Sequence, residues 1–153
     1  PVPASLARAM GADIVIAADH ARFGLTEARV GRLPLDGGMV LLQRLLPRNI
    51  AAGMMLTGRM LPAVEMARFG LINAVVPLAD LDAEVDRWVG DILACAPLSL
   101  RAIKAVVRQT AQLSAHEAYA ARLPELMTAL GSEDQHEGVA AFNEKRAPQW
   151  NGR

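Results

Sequence analysis

The chain has 153 residues, of which 52% are hydrophobic and 21% charged, a composition typical of a globular domain and not of a disordered chain. Sixteen basic and sixteen acidic residues give a formal net charge of zero. A neutral chain has no global field that would attract nucleic acid or an anionic membrane, so we expect neither as a partner.

The sequence also bears on compartment and metal chemistry. Cys95 is the only cysteine, so an internal disulfide is excluded; this fits a reducing compartment, and we expect a cytoplasmic protein in which Cys95 is buried and inert. His20, His116 and His136 lack metal-ligand spacing, so no metal site is predicted. No apolar run reaches the roughly 20 residues that span a bilayer. Because the first residue is Pro1, we expect a processed or truncated chain.

The first part of the chain has the pattern of an α/β fold. Short apolar runs at residues 13–18, 21–24 and 71–76 predict three strands. Helices are predicted at residues 39–46, 48–56 and 62–69, with Asp36 as a candidate cap of the first and Gly58 just past the end of the second. Pro77 stops the third strand. Three short strands are too few for a complete sheet with a covered face, which indicates that part of the fold lies elsewhere.

The rest of the chain is predicted to be helical. Amphipathic spacing indicates helices at residues 79–94 and 98–112. Ser114 and Glu117 have the spacing of a capping box, and the helix that they open should run to about residue 130 unless Pro124 kinks or breaks it. Ser132 is a candidate cap of a last helix, followed by a polar, partly exposed tail at residues 145–153. We therefore divide the chain into an α/β region, residues 1–77, and a helical region, residues 78–153.

One carboxylate stands out in the stretch FGLTEARVGRLPLDGG at residues 23–38. Glu27 follows an apolar, strand-like run and precedes a turn rich in proline and glycine that opens a helix. A side chain at such a position is well placed to face a cleft. A glutamate in a turn is more often simply solvated, and Gly37 and Gly38 are common before a helix, so these residues alone do not name a reaction.

An ordered set of short motifs carries a family resemblance. The motifs are ARFG at residues 21–24, TE at 26–27, VGRLP at 30–34, GG at 37–38, LTGR at 56–59, ARFGLINAVVP at 67–77, APL at 96–98, and SED followed by EGVAAFNEKR within residues 132–146. From about residue 11 to its end, the chain resembles the C-terminal half of the enoyl-CoA hydratase/isomerase (crotonase) superfamily. The resemblance implies part of a spiral of ββα units, followed by a helical trimerisation region.

The resemblance also implies a chemistry. Its substrates are acyl-CoA thioesters, whose oxygen is held by two backbone N–H groups that stabilise an enolate. Coenzyme A is part of the substrate, so no separate cofactor is expected. Glu27 matches the second of two glutamates that act on the Cα–Cβ region in the hydratases, whereas in isomerase branches one carboxylate can move the proton alone. The first glutamate would fall at Ala7, and the glycine-rich oxyanion run would fall among residues 1–10, which contain no glycine.

Further site residues follow from the same resemblance. Asp36 is a second carboxylate in the loop where some isomerase branches carry an acidic residue, although helix capping explains it equally well. Lys145 matches a lysine that in some members reaches the CoA of a neighbouring subunit, in a homotrimer or hexamer. Leu126 stands where some members stack an aromatic ring on the adenine, so that contact would be lost.

Two questions stay open from the sequence. The first ten residues are either a foreign edge of a truncated chain, which we favour, or the mark of a lineage that has lost the hydratase glutamate pair. The chain is either part of an acyl-CoA enzyme or a non-catalytic oligomerisation module that associates through its apolar helix faces.

Overall fold

In the computed structural model, Leu6 and residues 9–153 are described. The chain forms two compact units, Pro1–Arg87 and Trp88–Arg153. This division falls ten residues beyond the boundary at residue 77 that we drew from the sequence, and the functional division at 77 stays a prediction. The fold is mixed α/β and rich in helix, as expected.

Four strands are present in the described part of unit 1, as two short pairs. Strand β1 (Ile16–Ala18) pairs in parallel with β4 (Ala74–Val76), and β2 (Arg22–Phe23) pairs antiparallel with β3 (Leu61–Pro62). The strands are shorter than predicted, and β3 was not predicted because two residues that include a proline carry no alternating pattern.

A side chain extends the β1–β4 pairing by one step. The backbone N–H of Asn73 donates to the carbonyl of Val15 at 2.8 Å, and the N–H of Val15 donates to the Asn73 Oδ1 at 2.9 Å. Before β4, the side chain of Asn73 takes the place of one backbone group in the pairing with β1, so the backbone ladder does not continue. The strand predicted at residues 71–76 therefore covers only Ala74–Val76.

Helices α1 (Gly38–Leu45), α2 (Arg48–Thr57) and α3 (Ala63–Arg68) confirm three predicted helices, each to within two residues at either end. Gly58 ends α2 in the left-handed conformation, with a φ of 62°, as expected for a glycine at that position. The proposed Asp36 cap is wrong. Gly37 precedes α1 with a φ of 84° and no side chain caps the helix, because a left-handed glycine turns the chain into it.

The core of unit 1 is aliphatic, as a chain with 4% aromatic residues requires. Its best-buried large side chains are those of Leu6, Leu42, Met54 and Met66. Gly38 allows α1 to approach the loop before it, because a Cβ there would come within 2.8 Å of the Pro34 Cβ and 2.9 Å of the Leu25 Cδ1. The start of α1 is thus packed directly on the segment that carries Glu27.

Helix α4 (Leu81–Leu93) contains the boundary between the two units. Four further helices follow in unit 2: α5 (Pro97–Gln109), α6 (Ala115–Ala120), α7 (Pro124–Leu130) and α8 (Glu133–Glu144). The capping box that opens α6 is confirmed, with both reciprocal bonds between Ser114 and Glu117. The break at Pro124 is confirmed, since α6 ends at Ala120 and α7 begins at Pro124. Ser132 caps α8 by accepting from the N–H of Gln135 at 3.2 Å.

Cys95 is exposed, so the prediction that it is buried is wrong. The thiol donates to the carbonyl of Asp91 at 3.3 Å. None of the residues of α4 is buried, so the end of this amphipathic helix provides no apolar cover for the cysteine that follows it. Across the described residues, no helix combines the length and the apolar character that crossing a bilayer requires.

Candidate functional site

Glu27 opens a 3-10 helical turn, Glu27–Val30, between β2 and α1. The residue is half-buried, and its Oε2 is buried without a hydrogen-bond partner among the described residues. A buried polar atom without a partner is unfavourable by about 1–3 kcal/mol, so such atoms are uncommon in folded proteins and call for an explanation. The simplest explanation is a polar partner that arrives from outside this part of the chain.

The turn that carries Glu27 is closed by backbone hydrogen bonds. The N–H of Arg29 donates to the carbonyl of Thr26 at 3.0 Å, and the N–H of Arg32 donates to the carbonyl of Glu27 at 3.0 Å. Gly31 reverses the chain with a φ of 70°, a conformation that costs glycine little. The backbone of Glu27 is therefore held at a defined place beside the start of α1.

A side chain also anchors the turn to α2. The Arg29 Nε donates to the carbonyl of Thr57, the last residue of α2, at 2.9 Å. Sequence reasoning missed Arg29, because its partner is 28 positions away and no local pattern pairs an arginine with a distant carbonyl.

Asp36, the second predicted carboxylate, does not cap α1. The residue is exposed, and no hydrogen bond joins it to Glu27 in the described part of the chain. Ala7, where the resemblance places the first family glutamate, lies outside the described residues. The same is true of residues 1–5, the greater part of the segment aligned with the oxyanion run.

Lys145 lies in unit 2, directly after α8. It is exposed and has a φ of 55°, the left-handed region that a residue with a Cβ seldom adopts. Its side chain leaves the helix where the chain turns back. Leu126 lies on α7 and lines an apolar groove of about 400 Å³ against α5.

The polar tail after Lys145 is partly exposed, as predicted, and ion pairs and hydrogen bonds join it to α8. Arg146 pairs with Glu137 (Nη1 to Oε1, 2.6 Å) and with Glu144 (Nε to Oε2, 2.6 Å). The N–H of Gln149 also donates to the Glu137 Oε1 at 2.7 Å. The hydrogen bonds from Arg146 and Gln149 lower the pKa of Glu137 to about 2. The two glutamates in turn raise the pKa of Arg146.

A buried carboxylate holds the last residues. Asp134 is 2% exposed and accepts from the N–H of Asn151 at 2.7 Å and of Gly152 at 3.0 Å. The indole N–H of Trp150 donates to the carbonyl of Ala94 at 2.8 Å. We call the contacts of Asp134, Glu137 and Arg146 with the tail the C-terminal clasp. Its effect is to fold residues 146–153 back along α8, so that Lys145 lies at a fixed bend.

Among the described residues, no three histidine, cysteine, aspartate or glutamate side chains gather as metal ligands do. The candidate site is instead a single half-buried carboxylate on an anchored turn, in a helix-rich α/β fold. A half-buried carboxyl group of this kind has the chemistry of a general acid or base.

Comparison with known proteins identifies the family. The model of the enoyl-CoA hydratase/isomerase family matches residues 5–153. A carnitinyl-CoA dehydratase of Shigella flexneri is 38% identical over 149 residues, covering 95% of this chain. The structure of the enoyl-CoA hydratase of Mycobacterium tuberculosis superposes on this chain with a TM-score of 0.89, at 30% identity over 94% of the chain. The enoyl-CoA hydratase of Bacillus anthracis gives the same TM-score, identity and coverage.

The chain therefore belongs to the enoyl-CoA hydratase/isomerase family, and its fold is of the crotonase type. It spans 57% of the length of the Shigella dehydratase and 57% of the M. tuberculosis hydratase.

The clasp makes the stability of unit 2 depend on pH. The pKa of Glu137 is about 2 in the folded chain and lies below its ordinary value of 4.5. The stabilisation is therefore complete above the ordinary pKa and is lost as the pH falls toward the folded one. We predict that Glu137→Gln lowers the melting temperature by a constant amount between about pH 5 and 8, and that this difference shrinks below about pH 4.5.

Thermal unfolding from about pH 3 to 8 measures this difference. Glu65→Gln, on α3 in unit 1, is the matched control and should show no comparable step. The pair is partly exposed, so added salt should also reduce the effect. An effect of Glu137→Gln that is the same at every pH would contradict the role given to its charge.

Proposed function

We propose that this chain is the C-terminal part of an enzyme that acts on the Cα–Cβ region of acyl-CoA thioesters, by adding or removing water or by moving the double bond through an enolate. The observation that carries the proposal is the Oε2 of Glu27, which is buried and has no hydrogen-bond partner in the part of the chain that the structure describes. It occurs at the position that matches the second glutamate of the hydratases. Relatives named carnitinyl-CoA dehydratase and enoyl-CoA hydratase support the same substrate class.

Glu27 would act as a general acid and base. In hydration, the oxygen of water bonds to Cβ, one proton of the water passes to a carboxylate, and a carboxyl group delivers a proton to Cα. Dehydration is the reverse. In isomerisation, the Glu27 carboxylate takes a proton from one carbon and returns it to another, so a single group suffices. Proton transfer of this kind typically contributes 10²- to 10⁴-fold to the rate.

The burial of Oε2 suits this role. A carboxylate oxygen that has a protein partner would have to break that bond before it bound water or substrate. The Oε2 of Glu27 has no such partner in the described residues, while the turn around it is fixed by backbone bonds. The geometry thus leaves one acceptor ready for a proton.

The position of the first glutamate bears on which reaction is favoured. With alanine at residue 7, Glu27 would work alone, and transfer of a proton between carbons is the reaction that one carboxylate can perform. With a glutamate supplied elsewhere in the protein, hydration and dehydration become available. Asp36 is exposed, which makes it a weaker candidate for a second carboxyl group.

Lys145 is proposed to reach the CoA of a neighbouring subunit. A lysine ammonium is a compact charge that suits a phosphate. The exposure of Lys145 and its fixed bend support this role. The assembly would be a homotrimer or hexamer in the cytoplasm, with residues 78–153 as the association region and no cofactor beyond the CoA of the substrate.

A non-catalytic oligomerisation module is the second candidate. It is favoured by the exposed apolar side chains around the groove of about 400 Å³ between α5 and α7. Ile103 is 59% exposed and Val107 64%, which is unusual for apolar side chains of a monomer when they adjoin.

Replacing Glu27 in the full-length protein tests the enzyme directly. Glu27→Gln keeps the shape of the side chain and removes its proton chemistry, so we expect kcat on crotonyl-CoA or another acyl-CoA of a chain-length series to fall by roughly 10²- to 10⁴-fold. Glu65→Gln is the control and should retain kcat. Turnover by Glu27→Gln at the wild-type rate on every substrate would contradict the proposal, and an unmodified protein that binds no acyl-CoA would favour the module.

The subunit contact has its own test. Light scattering on the full-length protein should give the mass of three or six chains. In that assembly, Lys145→Ala should weaken CoA binding by roughly five- to tenfold, the loss of one exposed charge contact to phosphate. Lys104→Ala, which removes the other lysine of these 153 residues, is the control. Equal CoA affinity for wild type and Lys145→Ala would remove Lys145 from the site.

A further inference from the structure

We propose that Arg29 is a positioning residue for Glu27: it fixes the turn that carries the carboxylate by binding the C-terminal end of α2. This inference rests on the proposed function, because it gives Arg29 a catalytic effect that acts only through Glu27. The two residues lie in the same 3-10 turn, Glu27–Val30.

The first support is the chemistry of the bond. The carbonyl of Thr57 belongs to the last residue of α2, where helix carbonyls lack a partner within the helix. The Arg29 Nε donates to it at 2.9 Å. A guanidinium at a helix C-terminus also interacts favourably with the helix dipole.

The second support is steric. Gly58, the residue after α2, has a φ of 62°, and a Cβ there would come within 2.7 Å of the Arg29 Nε and 2.8 Å of its Cγ. The stem of Arg29 therefore lies directly over Gly58, although the residue as a whole is exposed. A side chain at position 58 would push Arg29 away, so the glycine is needed both for its backbone conformation and for this contact.

The third support comes from how Glu27 itself is held. Because Oε2 has no hydrogen-bond partner in the described residues, no hydrogen bond to that atom sets its direction. Its place depends on the backbone of the turn, which is closed by the bond from the Arg32 N–H to the Glu27 carbonyl. The anchor at Arg29 lies inside that closed turn. Loss of the anchor should therefore move or loosen the carboxylate.

An exposed hydrogen bond that contributes only to stability is the competing explanation. It predicts that a change at Arg29 affects any activity of the protein equally, whether or not Glu27 is intact. A positioning role predicts that the effect disappears once Glu27 has lost its proton chemistry. A double-mutant cycle separates the two.

The experiment uses the full-length protein with Arg29→Leu in the wild-type and Glu27→Gln backgrounds. We expect Arg29→Leu to lower kcat by roughly 10- to 100-fold with little change in KM, as a small misplacement of a catalytic group does. In the Glu27→Gln background it should have no further effect. Arg29→Lys keeps a charged donor and should recover part of the loss. Gly58→Ala should reproduce the loss of Arg29→Leu, and Arg32→Leu, which alters an exposed side chain of the same region, should retain kcat.

A second readout does not depend on activity. Hydrogen exchange at the backbone amide of Arg32 reports the bond that closes the turn. Arg29→Leu should raise its exchange rate by tenfold or so at an unchanged melting temperature, which marks local opening. The control Glu65→Gln, which keeps Arg32 and both ends of the Arg29–Thr57 bond, should leave this rate unchanged. This measurement can be made even if the turnover of the Glu27→Gln protein is too slow to assay.

The outcomes separate the two proposals. Wild-type turnover by Glu27→Gln would contradict the proposed function, whatever the kcat of Arg29→Leu. If Glu27→Gln is impaired but Arg29→Leu retains kcat, or lowers it by the same factor in both backgrounds, Arg29 does not position Glu27. Unchanged exchange at Arg32 overturns the anchor itself.

Discussion

The structure around the candidate site depends on one arrangement: within the described residues, a buried carboxylate oxygen of Glu27 has no hydrogen-bond partner, and the turn that carries it is closed by backbone hydrogen bonds. Glu27 could gain a partner cheaply if its turn were free to swing toward solvent. The turn is not free, because its backbone closes on itself and Arg29 ties it to the end of α2. The unfavourable free energy of the unpaired oxygen is therefore offset by the packing of unit 1. Folds commonly hold a reactive group in place in this way.

The same packing determines why glycine occurs where it does. Gly38 lets α1 lie against Pro34 and Leu25, which places the helix start beside the turn. Gly58 both ends α2 and leaves room for the stem of Arg29. Both glycines therefore allow close contacts with the segment that carries Glu27.

The second unit carries a separate device with a similar logic. The C-terminal clasp uses Asp134 and Glu137, both on α8, to hold the tail, and the chain bends between α8 and the tail at Lys145, which has a left-handed conformation. A lysine at such a bend is less favourable than a glycine. The contact to CoA that we propose for Lys145 would give its side chain a role at this bend.

Much of the fold could be predicted from local signals. Gly58 marked the end of α2, Ser114 and Glu117 the start of α6, and Pro124 the break before α7. Signals that depend on distant partners could not be read. The short strand β3 exists only because β2 lies beside it, and the bond from Arg29 to Thr57 joins residues 28 positions apart.

The sites divide in the same way. Glu27 could be placed on a turn from its neighbours, and its role came from the resemblance to the family, but no sequence pattern reveals that Oε2 is buried and unpaired. Cys95 was expected to be buried because it follows an apolar helix face, and that inference fails because the face of α4 is not covered. Burial depends on what packs against a residue, and that is information about the whole fold.

A crystal structure of the full-length protein with a bound, non-reactive acyl-CoA analogue tests the central claim most directly. We predict that a carboxylate oxygen of Glu27 lies within about 3.2 Å of the water, or of the carbon, that exchanges a proton at Cα–Cβ. Arg29 should still be bound to the carbonyl of Thr57. An acyl chain bound elsewhere, with Oε2 of Glu27 paired to a protein group, would contradict it.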